Sequence, residues 1–173
     1  MDMYQKRKMR QEKKNSSKNN GVEKIQLNWY PGHMVKTKRE ISEKLNLIDI
    51  VYEVIDARMP ISSKIVDIDD LIKNKKRILV MTKYDLCDKK ETDKFIKYYE
   101  KKGYAVIPVD LTTGANVKKI LEVSRELLKE EQEKRIAKGM RQRSIRALIV
   151  GVPNAGKSTL INRLVGRKSA GVG

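Results

Sequence analysis

The sequence predicts an α/β fold, a mainly parallel sheet flanked by helices in three layers, on three observations. Four short apolar runs rich in Val and Ile, at 49–57, 76–82, 104–109 and 145–150, alternate with polar stretches of helical period. Each run is bounded by turn-forming residues, the arrangement of βαβ units around a parallel sheet. The last run leads through a glycine-bearing turn, GVPNAGKST at 151–159, straight into a further helical pattern.

Taken in order, residues 1–24 carry eight Lys or Arg against three acids, few periodic apolar positions and the turn-forming stretch NSSKNNG. That composition reads as a flexible basic arm, placed at 1–27, ahead of a domain over 28–173. It either touches RNA or is a solvated tail. After a turn at Pro31 and Gly32, MVKTKREISEKLNLI sets Ile41, Leu45 and Ile48 on one stripe of a helix. DIVYEVIDA follows as the first strand. A helical stretch near DIDDLIKNK, the strand KRILVMT, the helix KKETDKFIKYYEKK and the strand YAVIPV come next. A long helix from about 116 to 138 precedes the strand IRALIV. No repeat of fixed period is present.

At 173 residues and 39% apolar content the chain has room for one packed domain and an extension. Its 39 Lys and Arg against 22 Asp and Glu give a net charge of +17. Such an excess favours a polyanionic partner such as nucleic acid, with a solvated lysine-rich surface as the other reading. Cys87 is the one cysteine, which excludes an intramolecular disulfide and a cysteine-rich zinc site and suits a reducing, cytoplasmic setting. No apolar run approaches the ~18 residues of a membrane span, and the first residues lack a secretory apolar core.

Gly151 to Ser158 fits G-x-x-x-x-G-K-[ST] between a strand and a helix, the context in which this motif holds phosphates. Backbone N–H groups of Asn154, Ala155 and Gly156 and a helix N-terminus wrap the anion, with Thr159 beside them. Lys157 reaches the β and γ oxygens, and the Ser158 hydroxyl can coordinate Mg²⁺. The tetrapeptide Thr82-Lys83-Tyr84-Asp85 ends the second strand. In a parallel sheet the loops at the strands' carboxyl ends share one rim, so this loop belongs beside the phosphate loop. Asp85 can then accept from N1–H and the exocyclic amine of guanine, a donor pair that adenine lacks. A buried carboxylate left unpaired costs about 1–3 kcal/mol or more. DLTTGAN at 110–116, beginning with Asp110 and Leu111, can offer backbone N–H groups to the guanine O6. Helix capping by Asn116 or a neighbour accounts for the same residues.

NWYPGHM, DIVYEVIDARMPISS, TKYD, DLTTGAN and RALIVGVPNAGKSTLINRL together resemble the circularly permuted GTPases, in which the guanine loops precede the phosphate loop. The resemblance runs from about Asn28 to the end. It implies a P-loop GTPase-like fold in which IRALIV lies beside DIVYEVIDA, followed outward by RILVMT and YAVIPV. It implies hydrolysis of GTP to GDP and phosphate with Mg²⁺, as a switch in late assembly of the large ribosomal subunit, with rRNA as a partner and neither membrane nor DNA expected. Asn154 matches an asparagine that helps hold K⁺ beside the phosphates in related proteins; an Asn that shapes the loop is the alternative. His33 matches a histidine proposed to place the attacking water, and packing against Trp29 and Tyr30 or stacking on RNA is its other reading. Where the family usually has Asn, this chain has Thr82, which alters the bracing of the two loops. No D-x-x-G occurs and no threonine follows Thr159. The family's pattern would continue with both, two more strands and a helical RNA-binding domain. The chain thus reads as a truncated form lacking the switch-region strands, with little or no hydrolysis of its own. IRALIV is expected at an open sheet edge. An RNA-binding module with a vestigial nucleotide loop, and an ATP-using P-loop protein, are the competing functions.

Overall fold

Seven consecutive residues, Ile50–Asp56 (β1), are all buried, as expected of an interior strand covered on both faces. The computed structural model describes residues 32–65 and 68–166. The basic arm at 1–27 and the NWYP stretch lie outside them. The chain divides into two units, 1–35 and 36–173, and the sheet with its helices belongs to the second, apart from the first backbone turn of one helix.

β1 pairs in parallel with Lys76–Thr82 (β2) on one side and with Ala147–Gly151 (β4) on the other, while Ala105–Pro108 (β3) pairs with β2. The strand order is β3-β2-β1-β4, the order expected from the sequence, and β4 is an outer strand. The register sets Ile50 opposite both Lys76 and Ala147.

Alternation along β1 sends side chains to two faces. Ile50, Tyr52 and Val54 join a core with Val117–Ala137 (α4) and Lys157–Val165 (α5), through Ile120, Leu128 and Leu160. On the other face Val51 packs with Ile41 of Gly32–Lys44 (α1) and Ile72 of Asp69–Ile72 (α2). Further along that face Ile55 packs with Leu79, Met81 and Tyr99, the last from Lys89–Lys101 (α3). The result is the expected three layers. Between the last two clusters lies Glu53, fully buried, with Lys64 Nζ 3.4 Å and Arg77 Nη1 3.3 Å from its carboxylate. Burial pushes that carboxyl above the usual range, and the two cations oppose the shift.

The crossing from β3 back to β4 is made by α4. Its 21 residues reach about 31 Å, against about 14 Å for three strand gaps. Two elements are shorter than their sequence patterns. α1 ends at Lys44 and passes into a 3-10 turn at Leu45–Leu47, yet Ile41, Leu45 and Ile48 still meet in one cluster. The tighter turn brings the chain into β1 without losing the stripe. The DIDDLIKNK helix is reduced to α2. α3 starts where its cap dictates: Asp88 Oδ1 accepts from the N–H groups of Lys90 and Glu91 at 2.9 and 3.3 Å.

Candidate functional site

The loops predicted to share a rim do share one, at the carboxyl ends of β1, β2, β3 and β4. The phosphate loop leaves β4 through Gly151, where a Cβ would stand 2.4 Å from the Val54 carbonyl oxygen on β1. Only glycine permits that approach. Asn154 and Gly156 take left-handed backbone, φ 60° and 90°, and turn the chain into α5. Gly156 caps α5 without a side-chain bond, so the first N–H groups of the helix have no capping oxygen and face the loop, the geometry that receives anions. Lys157 and Ser158 form its first turn with Thr159, all half-buried. Lys157 Nζ donates to the Val152 carbonyl at 2.8 Å, across the mouth of the loop, and burial pushes its pKa down.

Two side chains from the end of β2 clasp this loop. Thr82, fully buried, donates its hydroxyl to the Ala155 carbonyl at 2.7 Å. Threonine at this position therefore braces the two loops through a shorter side chain. Lys83, in left-handed backbone at φ 58°, donates from Nζ to the Asn154 carbonyl and to Asp56 Oδ2, each at 2.9 Å. Tyr84 turns away from the rim, its hydroxyl donating to Asp93 Oδ1 at 3.1 Å. Asp85 is exposed in the 3-10 turn Tyr84–Leu86.

The 110–116 loop closes the other side. Asp110 accepts from the N–H groups of Thr112 and Thr113 and from the Thr113 hydroxyl, which holds its carboxyl below the usual range. This carboxylate shapes its own turn. Leu111 lies against the phosphate loop, its Cδ1 3.1 Å from where a Gly156 Cβ would be. Asn116 does not cap α4 with its side chain; it adopts φ 63° and donates from Nδ2 to the Pro108 carbonyl at 2.9 Å. Its amide stitches the loop to the strand end instead of bonding the helix amides. His33 lies on the first turn of α1, and its side chain is outside what the structure describes.

Three residues at this rim escaped the sequence reading. Asp56, at the end of β1, takes a paired contact from Arg58 Nε and Nη2 at 3.0 and 2.8 Å and a third from Lys83. These hydrogen bonds, Arg58's first, hold its carboxyl far below the usual range despite burial. Arg163 of α5 donates from Nε to the Leu111 carbonyl at 2.9 Å and from Nη2 to that of Thr112, tying the 110–116 loop to the helix that follows the phosphate loop. A carboxylate at a strand's carboxyl end, as in DAR, was a usable signal for Asp56. Nothing in the sequence marked Arg163.

Comparison with known proteins gives consistent findings. A family profile described as 50S ribosome-binding GTPase matches residues 146–173. Ribosome biogenesis GTPase A of Bacillus licheniformis is 49% identical over 147 residues, 85% of this chain and 52% of that protein. The protein of the same name from Thermotoga maritima is 39% identical, over 85% of this chain and 49% of its own length. The crystal structure of GNP-bound YlqF from T. maritima superposes with a TM-score of 0.56 at 36% identity, covering 80% of this chain and 51% of that one. The chain thus spans about half the length of the relatives it matches. The loop after β2 precedes the phosphate loop along the sequence while the two meet at one end of the sheet, the loop order expected of the circularly permuted GTPases, and over this span the chain is similar to the proteins named Ribosome biogenesis GTPase A.

Proposed function

We propose that this chain binds GTP and GDP and serves a GTP-hydrolysing switch in assembly of the large ribosomal subunit, in the cytoplasm. The names of its relatives support the ribosomal part. The observation that carries the nucleotide part is the pair of contacts from Thr82 and Lys83 to the Ala155 and Asn154 carbonyls. They set the base-reading loop at a fixed place relative to the phosphate loop, so one ligand is gripped at both ends.

In this reading Asp85 accepts from the guanine edge, and the Asp110–Leu111 loop offers backbone N–H groups to the O6. The N–H groups of Asn154, Ala155, Gly156 and the first turn of α5 receive the phosphate oxygens, and Lys157 swings from the Val152 carbonyl to the β and γ oxygens. Among the described residues no cluster of three or more His, Cys, Asp or Glu could hold a metal. The Ser158 hydroxyl on the first turn of α5 suits Mg²⁺, which binds through few protein ligands when phosphates supply the rest. Bound there, the ion would neutralise phosphate charge. Asn154 has the backbone conformation of a loop-shaping residue, and K⁺ beside it is part of the proposal. His33 is proposed to orient the attacking water while Lys157 and the loop amides stabilise the charge that develops on the phosphoryl oxygens.

Titration with a fluorescent GTP analogue tests the proposal. Displacement by GTP and GDP, with ATP ineffective at a hundredfold excess, is the expected result. Equal displacement by ATP would remove the role given to Asp85.

A further inference from the structure

Five basic residues converge at the end of the sheet opposite the nucleotide rim. Lys73, Lys75, Lys76 and Arg77 lead from α2 into the start of β2, and Lys102 follows α3 just before β3. Because the strands are parallel, their starts lie away from their carboxyl ends. With Tyr104 these residues line a concave pocket of about 590 Å³, in whose wall Glu100 is the one acid.

Among the described residues, several basic ones on the surface are neutralised by a neighbouring acid, and four of the five in this pocket are not. Lys36, Arg39, Lys94 and Lys134, on helices, each pair with a Glu three or four residues away. Among the described residues no ion pair is formed by Lys73, Lys75, Lys76 or Lys102. Lys75 Nζ donates to the Ile48 carbonyl at 2.8 Å, and Lys102 Nζ lies 4.4 Å from the Tyr98 ring centroid, so two of the four ammonium groups are held in place without being neutralised. Unpaired charge of one sign in a concavity focuses the local field and concentrates counter-ions.

We infer that this pocket is a docking site for RNA phosphates, separate from the nucleotide rim. Its arginine is occupied by Glu53 and Asp69, which leaves ammonium groups as the available donors. Such point charges suit phosphate oxygens. The choice of RNA among nucleic acids rests on the ribosomal reading proposed above.

The test compares Lys73→Ala/Lys76→Ala with Lys36→Ala/Lys94→Ala, which removes the same charge at exposed, paired positions. The probe is a fluorescein-labelled single-stranded RNA of about 20 nucleotides, titrated over a salt series. The pocket variant is expected to bind about tenfold more weakly, with the slope of log affinity against log salt reduced by about 1.4, roughly 0.7 for each phosphate no longer neutralised. The control variant should lose no more than about twofold, since a net-charge effect alone is small and screened. A polyglutamate peptide of equal charge should compete poorly. Lys102→Ala, on a different element, should weaken binding in the same sense, which guards against a local folding defect in the double variant. Equal losses in the pocket and control variants, no RNA binding by the wild-type chain, or preferential binding of polyglutamate would each overturn the inference. A wild-type chain that binds RNA through the pocket but does not bind GTP would instead overturn the proposed function and leave the pocket standing.

Discussion

Lys157 and Thr82 show how single side chains tie the rim together. Lys157 is half-buried with its ammonium on a backbone carbonyl, a position from which it can transfer to a phosphate without leaving the loop. Lys157→Ala removes a hydrogen bond from a charged donor, worth about 1.5–3 kcal/mol, and is expected to weaken GTP binding on the order of tenfold to a hundredfold in an equilibrium titration. Thr82→Val keeps the shape and deletes the hydroxyl, leaving the buried Ala155 carbonyl unpaired. A loss of about 1–3 kcal/mol in denaturant unfolding is expected, with weaker GTP binding alongside. If the variant melted like wild type and kept its GTP affinity, the bracing given to Thr82 would be wrong. The motif G-x-x-x-x-G-K-[ST] made Lys157 legible because the spacing itself encodes a loop before a helix. The partner of Thr82 was not legible, since Ala155 lies 73 positions along the chain and only the sheet brings them together.

At the level of elements, the contact between β4 and β1 controls the phosphate loop. Gly151 is both the last residue of β4 and the first of the loop, and the Val54 carbonyl occupies the space a side chain would need. Gly151→Ala forces backbone against backbone, which cannot be relieved by rotating a side chain. The variant is expected to lose about 1–3 kcal/mol or more and to bind GTP poorly, measured by thermal melting and by titration. The strands were legible because β-branched runs and their bounding turns carry the signal locally. The ends of α1 and the extent of α2 were not, because a 3-10 turn and tertiary packing decided them. Asn116 illustrates the same limit: its residue type suits a cap, but its left-handed backbone departs from the usual capping conformation and its Nδ2 donates to the Pro108 carbonyl.

For the whole molecule, acid stability follows from the charge network at the rim. Arg58 and Lys83 hold the Asp56 carboxyl well below its unfolded value of about 3.9. A carboxylate depressed in this way contributes stability that is complete above the unfolded value and is lost as pH falls through that range toward the folded one. Glu53, shifted upward by burial, works in the opposite sense and favours the fold when protonated. Asp56→Asn is therefore expected to melt at a lower temperature than wild type near neutral pH and to show a smaller further drop on acidification below about pH 4. Parallel melting curves with the same acid slope would show that Asp56 is not the coupled group.

Read from the residues alone, the chain already specified a parallel α/β sheet and a loop of the phosphate-binding pattern; the order of its strands came from the family it resembles. The sheet and the loop depend on local periodicity or on spacing within one short stretch. Tertiary structure alone decided that Asp56, Lys83 and Asn154 form one linked set, that Arg163 anchors the Leu111 loop, and that lysines of two separate elements share a pocket. Those groupings join residues far apart in sequence, and parallel pairing with a helical crossover is what places distant strand ends side by side.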